Sequence, residues 1–120
     1  MTTCSVTFVH GVFKKVSGES PIILSDHKAQ VDGWICVITP SKITCTFEYF
    51  TETGKHRLIY TILRNGFSKK VLKGPGQSEK TLKKYWVCKP NHFNFSGTIF
   101  FSENKCGTPN ITYKESVSSG

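Results

Sequence analysis

Acidic side chains are scarce where this chain is most basic. Between Lys55 and Lys89 the only acid is Glu79, against ten cations: Lys55, Arg57, Arg64, Lys69, Lys70, Lys73, Lys80, Lys83, Lys84 and Lys89. The 120-residue chain carries a formal net charge of +8. No apolar run reaches the roughly 18 residues of a membrane-crossing helix, so no membrane span is expected. No two cysteines are spaced C-x-x-C, which argues against that type of zinc site, and neither metal nor cofactor is expected. The nucleophile and metalloprotease signatures GxSxG and HExxH are missing. Gly74-Pro75-Gly76 has neither the length nor the Lys-Ser/Thr of a phosphate-cradling loop. His10, His27, His56 and His92 are scattered and form no cluster. There is no internal repeat and no low-complexity block, so a single domain over 1–120 is expected, acting as a monomer.

What is present points to folded sheet. Leu58, Ile59, Tyr60, Ile62, Leu63, Phe67, Val71, Leu72, Tyr85, Trp86 and Val87 interleave with the cations. A disordered basic tail would lack them. The expected object is a sheet presenting Lys55, Arg57, Arg64, Lys69, Lys70, Lys73, Lys83 and Lys84 to an anionic partner, with Tyr85 and Trp86 as aromatic contacts. Lys69, Lys70, Lys83 and Lys84 also have a plainer reading, as edge charges that discourage aggregation. Phe93, Phe95, Phe100 and Phe101 are candidates for core or for a hydrophobic patch, with Phe100 favoured for the core over Phe93 and Phe95.

Period-two runs predict strands at Ser5–Val9, Trp34–Ile38, Ile43–Phe50, His56–Leu63, Phe67–Leu72, Leu82–Lys89 and Thr98–Ser102. Asn65-Gly66 marks a turn, and 73–78 a loop. Helical signals are confined to Phe8–Val16, about two turns, and Ser78–Lys84, one turn. Lys105–Gly120 is rich in Ser, Thr, Asn and Gly and reads as a loose tail, flexible over about 107–120. The expected fold is mainly β, or α+β with one short helix: a single antiparallel sheet stapled by disulfides.

The five cysteines are Cys4, Cys36, Cys45, Cys88 and Cys106. A hairpin turning at Pro40-Ser41 sets Cys36 opposite Cys45, within disulfide reach. Alternatively one of these two is unpaired, and Cys4 closes onto Cys88 or Cys106. Two sequons, Asn94-Phe95-Ser96 and Asn110-Ile111-Thr112, join the dispersed cysteines in favouring a secretory route. Met1-Thr2-Thr3 before Cys4 reads as an initiator Met on a mature chain.

One constellation carries chemistry. Glu48 lies among Phe47, Tyr49 and Phe50, which would desolvate it and raise its pKa. With His27 and Arg57 on neighbouring strands it would supply a base, an acid and a phosphate-binding cation, the set that RNA cleavage at the 2′-OH requires. The alternative is that Glu48 and Arg57 form an ordinary cross-strand ion pair.

The order Cys4, Phe8–Val16, His27-Lys28, Glu48, Arg57-Leu58-Ile59-Tyr60 and Tyr85-Trp86-Val87-Cys88 resembles the small fungal guanyl-specific ribonucleases and the secreted effectors built on that fold. The resemblance spans residues 4–88. It implies His27, Glu48 and Arg57 as catalytic positions and a closure of Cys4 onto a late cysteine. Val71-Leu72-Lys73-Gly74 stands where the family's second histidine would be, which implies an inactive relative that binds RNA or protein. Cys36-x8-Cys45-Thr46-Phe47 followed by His56–Leu63 is also similar to the first domain of cytokine receptors, with Phe47 where tryptophan is usual. That likeness implies a β-sandwich ectodomain in which Cys88 pairs with Cys106.

Both resemblances imply a small secreted protein that is not an enzyme. It would recognise a host or partner macromolecule, effector-like, through an acidic surface on a protein or an RNA. The alternatives are a weakly active ribonuclease-like protein and a receptor-like or immunoglobulin-like ectodomain.

Overall fold

The structure is a computed structural model that describes residues 3–18, 21–89, 93–103 and 109–115. These residues form eleven strands and no helix: β1 (Cys4–Val9), β2 (Val12–Ser17), β3 (Pro21–Ser25), β4 (Lys28–Val31), β5 (Trp34–Ile38), β6 (Lys42–Thr51), β7 (Gly54–Leu63), β8 (Phe67–Lys73), β9 (Lys80–Trp86), β10 (Gly97–Glu103) and β11 (Pro109–Glu115). All pairings are antiparallel. The mainly-β expectation therefore holds in its all-β form.

Two sheets replace the single sheet expected. The seven strands β3 to β9 run in sequence order, while the second sheet has the order β11-β10-β1-β2. The reason is burial. A long sheet with one apolar face needs a cover, and the two ends of the described chain supply it. Val6 and Phe8 of β1, Ile99 and Phe101 of β10 and Ile111 of β11 pack into one core with Val31, Trp34, Cys36, Ile43, Cys45, Tyr60 and Ile62 of the larger sheet. Trp34 bridges the layers, 5.2 Å from Phe47 of its own sheet and 5.4 Å from Phe101 of the other. Each such large apolar side chain contributes about 1.5–3 kcal/mol by leaving water.

The turns explain the strands that the periodicity obscured. His10 and Gly11 have φ of 49° and 79°, and Asp32 and Gly33 have 45° and 89°. Positive φ at both central residues is the two-residue hairpin turn whose twist matches its strands. The expected helix over Phe8–Val16 is thus a hairpin of β1 and β2. A bulge beside Thr7 and Phe8 shifts its register, so Phe13 pairs with Phe8 while Lys15 pairs with Thr7. That irregularity gives the apolar residues a helix-like spacing. The one-turn helix over Ser78–Lys84 is absent too, because β9 begins at Lys80. The tail expected over 107–120 is a paired strand from Pro109 to Glu115, with Ile111 buried; residues 107–108 and 116–120 lie outside the described residues.

No disulfide joins the described cysteines. Cys4 packs against Gly18, whereas Cys88 packs against Gly66, so the expected Cys4–Cys88 closure is not formed. Cys36 and Cys45 are directly opposed, in the register expected, as buried thiols. Cys106, and every pairing that involves it, lies outside the described residues. Among the described residues, apolar packing rather than a Cys4–Cys88 or Cys36–Cys45 staple joins the sheets.

Candidate interaction surface

Strand alternation divides the basic stretch between two faces. On the outer face of the seven-stranded sheet, Val37, Thr44, Thr61, Lys69 and Lys84 form one row across β5 to β9. A second row runs Ile35, Thr46, Ile59, Val71 and Thr81. A third runs Glu48, Arg57 and Lys73. The centre is therefore β-branched and the margin cationic. Lys55, opposite Phe50, and Lys42, opposite Leu63, complete that margin. Lys42 lies outside the basic stretch, and its alternation with Ile43 was the signal that places it here.

Three depressions mark this face. The first, of about 500 Å³, is lined by Ile35, Val37, Lys42, Thr44, Thr46 and Glu48. A second of about 330 Å³ lies among Lys42, Thr61, Leu63, Phe67, Lys69 and Lys84. The third, of about 140 Å³, is walled by Lys55, Arg57, Lys73 and Gly74.

Glu48 is the acid of this face, and two cations engage it. Lys55 Nζ lies 2.8 Å from Oε2, and Arg57 Nη2 donates to Oε1 at 3.0 Å. Lys55 first, then Arg57, hold the Glu48 carboxyl below the usual carboxylate range. The expected rise is reversed because Glu48 points to solvent while its apolar neighbours Phe47 and Tyr49 point inward. Arg57 Nε, buried, finds no acceptor among the described residues. Lys69 and Lys84 stand directly opposite each other, as do Arg57 and Lys73. Like charges so placed destabilise a sheet unless an anion lies against them.

The remaining expected contacts are elsewhere. Lys70 and Lys83 are opposed on the inner face. Lys70 sits beside Tyr60 and Tyr85, with Nζ 5.7 and 6.0 Å from their ring centres. Arg64 is in the β7–β8 turn, with its guanidinium 4.5 Å from the centre of the Phe95 ring. Tyr85 and Trp86 cannot act together, since consecutive strand residues face opposite ways. Tyr85 turns inward and shares a 2.9 Å hydrogen bond with the Tyr60 hydroxyl. Trp86 turns outward, edge-on to Phe67 at 5.0 Å. Phe93, Phe95 and Phe101 are buried, whereas Phe100 is 37% exposed, the reverse of the expected order.

His27, Glu48 and Arg57 do not converge. His27 lies in the β3–β4 turn, where its Nδ1 is 3.2 Å from the Gly11 carbonyl oxygen. It shares an end cleft of about 220 Å³ with His10, Arg64 and Phe95. Its neighbour Lys28 lies in the row of Val37 and Thr44, four residues along β6 from Glu48. The ion pair reading of Glu48 and Arg57 is the one the geometry bears out. Among the described residues, no group of three His, Cys, Asp or Glu is placed to hold a metal, and no helix is long and apolar enough to cross a membrane.

Asn110 is exposed on β11 with Thr112 beside it on the same solvent-facing side. Asn94 instead accepts a hydrogen bond from the Ser96 amide at 3.0 Å, and Ser96 is buried. No protein-family model, curated protein or solved structure matches the chain.

Proposed function

We propose that this protein acts by recognition without turnover, holding an acidic partner protein against the outer face of its seven-stranded sheet. The observation that carries this reading is the direct opposition of Lys69 with Lys84 and of Arg57 with Lys73, with Glu48 the acid among the described residues of those rows. Carboxylates of a partner would occupy the depression between Lys55, Arg57 and Lys73. The β-branched centre would exclude water around them, as the core of an interface does.

A protein fits this face better than an RNA. Single-stranded nucleic acid is held by open aromatic rings on which bases stack. Here the central rows are Thr, Ile and Val, the Phe67 and Trp86 rings at one corner pack against each other, and Phe50, 77% exposed beside Lys55 at the margin, offers a single open ring rather than a stacking series. The exposed sequon at Asn110 supports a secretory destination, and the effector-like role implied by the ribonuclease-like resemblance belongs to the same proposal.

The test uses fluorescent polyglutamate and polyuridylate of matched length and charge. Polyglutamate should bind, weaken steeply with salt, and be lost in the Lys69→Glu, Lys84→Glu double variant. The Lys14→Glu, Lys15→Glu variant, altered on β2 of the other sheet, should keep binding. Tighter binding of polyuridylate, a flat salt response, or equal loss in both variants overturns the proposal.

A further inference from the structure

The inner faces of β8 and β9 reach the rim of the smaller sheet, and a second site lies there. A cavity of about 130 Å³ is lined by Trp34, Leu58, Tyr60, Lys70, Leu82 and Ile111, so it is bounded by the larger sheet on one side and by edge strand β11 on the other. Its walls are mostly apolar, yet Lys70 enters them. Lys83 stands directly opposite Lys70 on β9, with its Nζ 4.8 Å from the centre of the Tyr85 ring. Among the described residues, no carboxylate lines the cavity.

Three features are left unbalanced. Two ammonium groups face each other on one side of the sheet, an arrangement that costs stability. The tyrosine rings offset part of that cost through cation–π attraction. Desolvation lowers the Lys70 pKa, with Lys83 adding to the effect and Tyr85 opposing it. Trp34 is 1% exposed, and its indole N–H has no hydrogen-bond acceptor among the described residues. Buried donors without acceptors are rare in folded proteins and call for an explanation.

We infer that this cavity binds a small carboxylic acid with a compact apolar body, of the size of an aryl or short alkyl carboxylate. The apolar body lies against Leu58, Leu82, Ile111 and the Trp34 ring, and the carboxylate pairs with Lys70, with Lys83 nearby. Size follows from volume: an apolar cavity of about 150 Å³ takes up benzene. Head-group charge follows from the two lysines, which an uncharged ligand would leave opposed and unneutralised. Two residues of its lining, Ile59 and Val71, belong to the central row of the outer face, while Trp34, Tyr60, Lys70 and Ile111 approach from the inner side; the inference does not rest on the proposed protein surface.

The native reporter is Trp34 itself. Trp86→Phe removes the other tryptophan and leaves a ring against Phe67. Benzoate titrated into this full-length variant should change the Trp34 fluorescence saturably, and benzyl alcohol should bind roughly tenfold more weakly. Lys70→Met, which keeps most of the unbranched side chain without its charge, should abolish the preference for benzoate. Lys70→Gln should do the same, and serves where the methionine variant does not fold. The absence of a saturable change, equal affinity for acid and alcohol, or a preference that survives both substitutions overturns the inference.

Discussion

Cys36 and Cys45 face one another across β5 and β6, each fully buried, at the centre of the larger sheet. Burial pushes the Cys45 thiol well above its ordinary range, and its hydrogen bond with Cys36 pushes it further. A thiol so held stays protonated and is a poor nucleophile. Neither cysteine should react with iodoacetamide in the native protein at about pH 8, where an unfolded cysteine begins to ionise. Both should react once guanidinium unfolds the chain. Mass spectrometry of labelled peptides distinguishes the outcomes, and rapid native labelling would show that the core is not closed.

The same burial predicts how stability responds to alkali. Cys45, Tyr60 and Tyr113 all have raised folded-state pKa values, chiefly through desolvation. For an acid raised in this way, the contribution is complete below the unfolded pKa and is lost as pH climbs through the folded one. Denaturant midpoints should hold up to about pH 8.5, fall as the unfolded cysteine ionises, and fall faster above about pH 10 as the unfolded tyrosines follow. A midpoint that rises over this range would contradict the burial of these groups.

Neighbouring phenylalanines give a sharper test of packing. Phe101 is fully buried against Trp34, while Phe100 faces solvent on the same strand. Phe101→Ala should cost about 3–5 kcal/mol, a large share of the roughly 5–15 kcal/mol that holds a domain together. Phe100→Ala should stay within about 1 kcal/mol. Chemical denaturation of the two variants reads the difference, and similar losses would mean that β10 is set in the other register.

Glu48 restrains the surface that the proposal uses. Its carboxylate occupies Lys55 and Arg57 at 2.8 and 3.0 Å. Glu48→Gln should free both cations and tighten polyglutamate binding by roughly two- to fivefold. The melting temperature should change little, since exposed ion pairs contribute little to stability. Isothermal titration of wild type and variant measures the change, and weaker binding would place the contact elsewhere.

Much of the larger sheet is legible along the chain. Trp34–Ile38 is expected and found with the same bounds, and the strands at Ile43, His56 and Phe67 extend by only a residue or two at their ends. The opposition of Cys36 with Cys45 follows from one turn, because a hairpin is a local object. Asp32-Gly33 is an equally strong turn signal, and it joins β4 to β5. The β1–β2 hairpin is masked in the sequence. Its bulge beside Thr7 and Phe8 breaks the alternation on which strand recognition depends.

The sequence by itself determined that this is a basic, strand-rich chain with its cations concentrated in one stretch, because composition and period-two alternation are local properties. It did not determine how those cations are shared out. Lys69 and Lys70 are adjacent in sequence, yet one lies in a solvent-facing row with Lys84 and the other lines an apolar cavity opposite Lys83. That division depends on the absolute phase of β8 and on where the second sheet ends. Both are set by contacts between β1, β10 and β11 and the distant middle of the chain. Only the tertiary structure decides them, since which side of a strand is inside has no meaning until another sheet covers it.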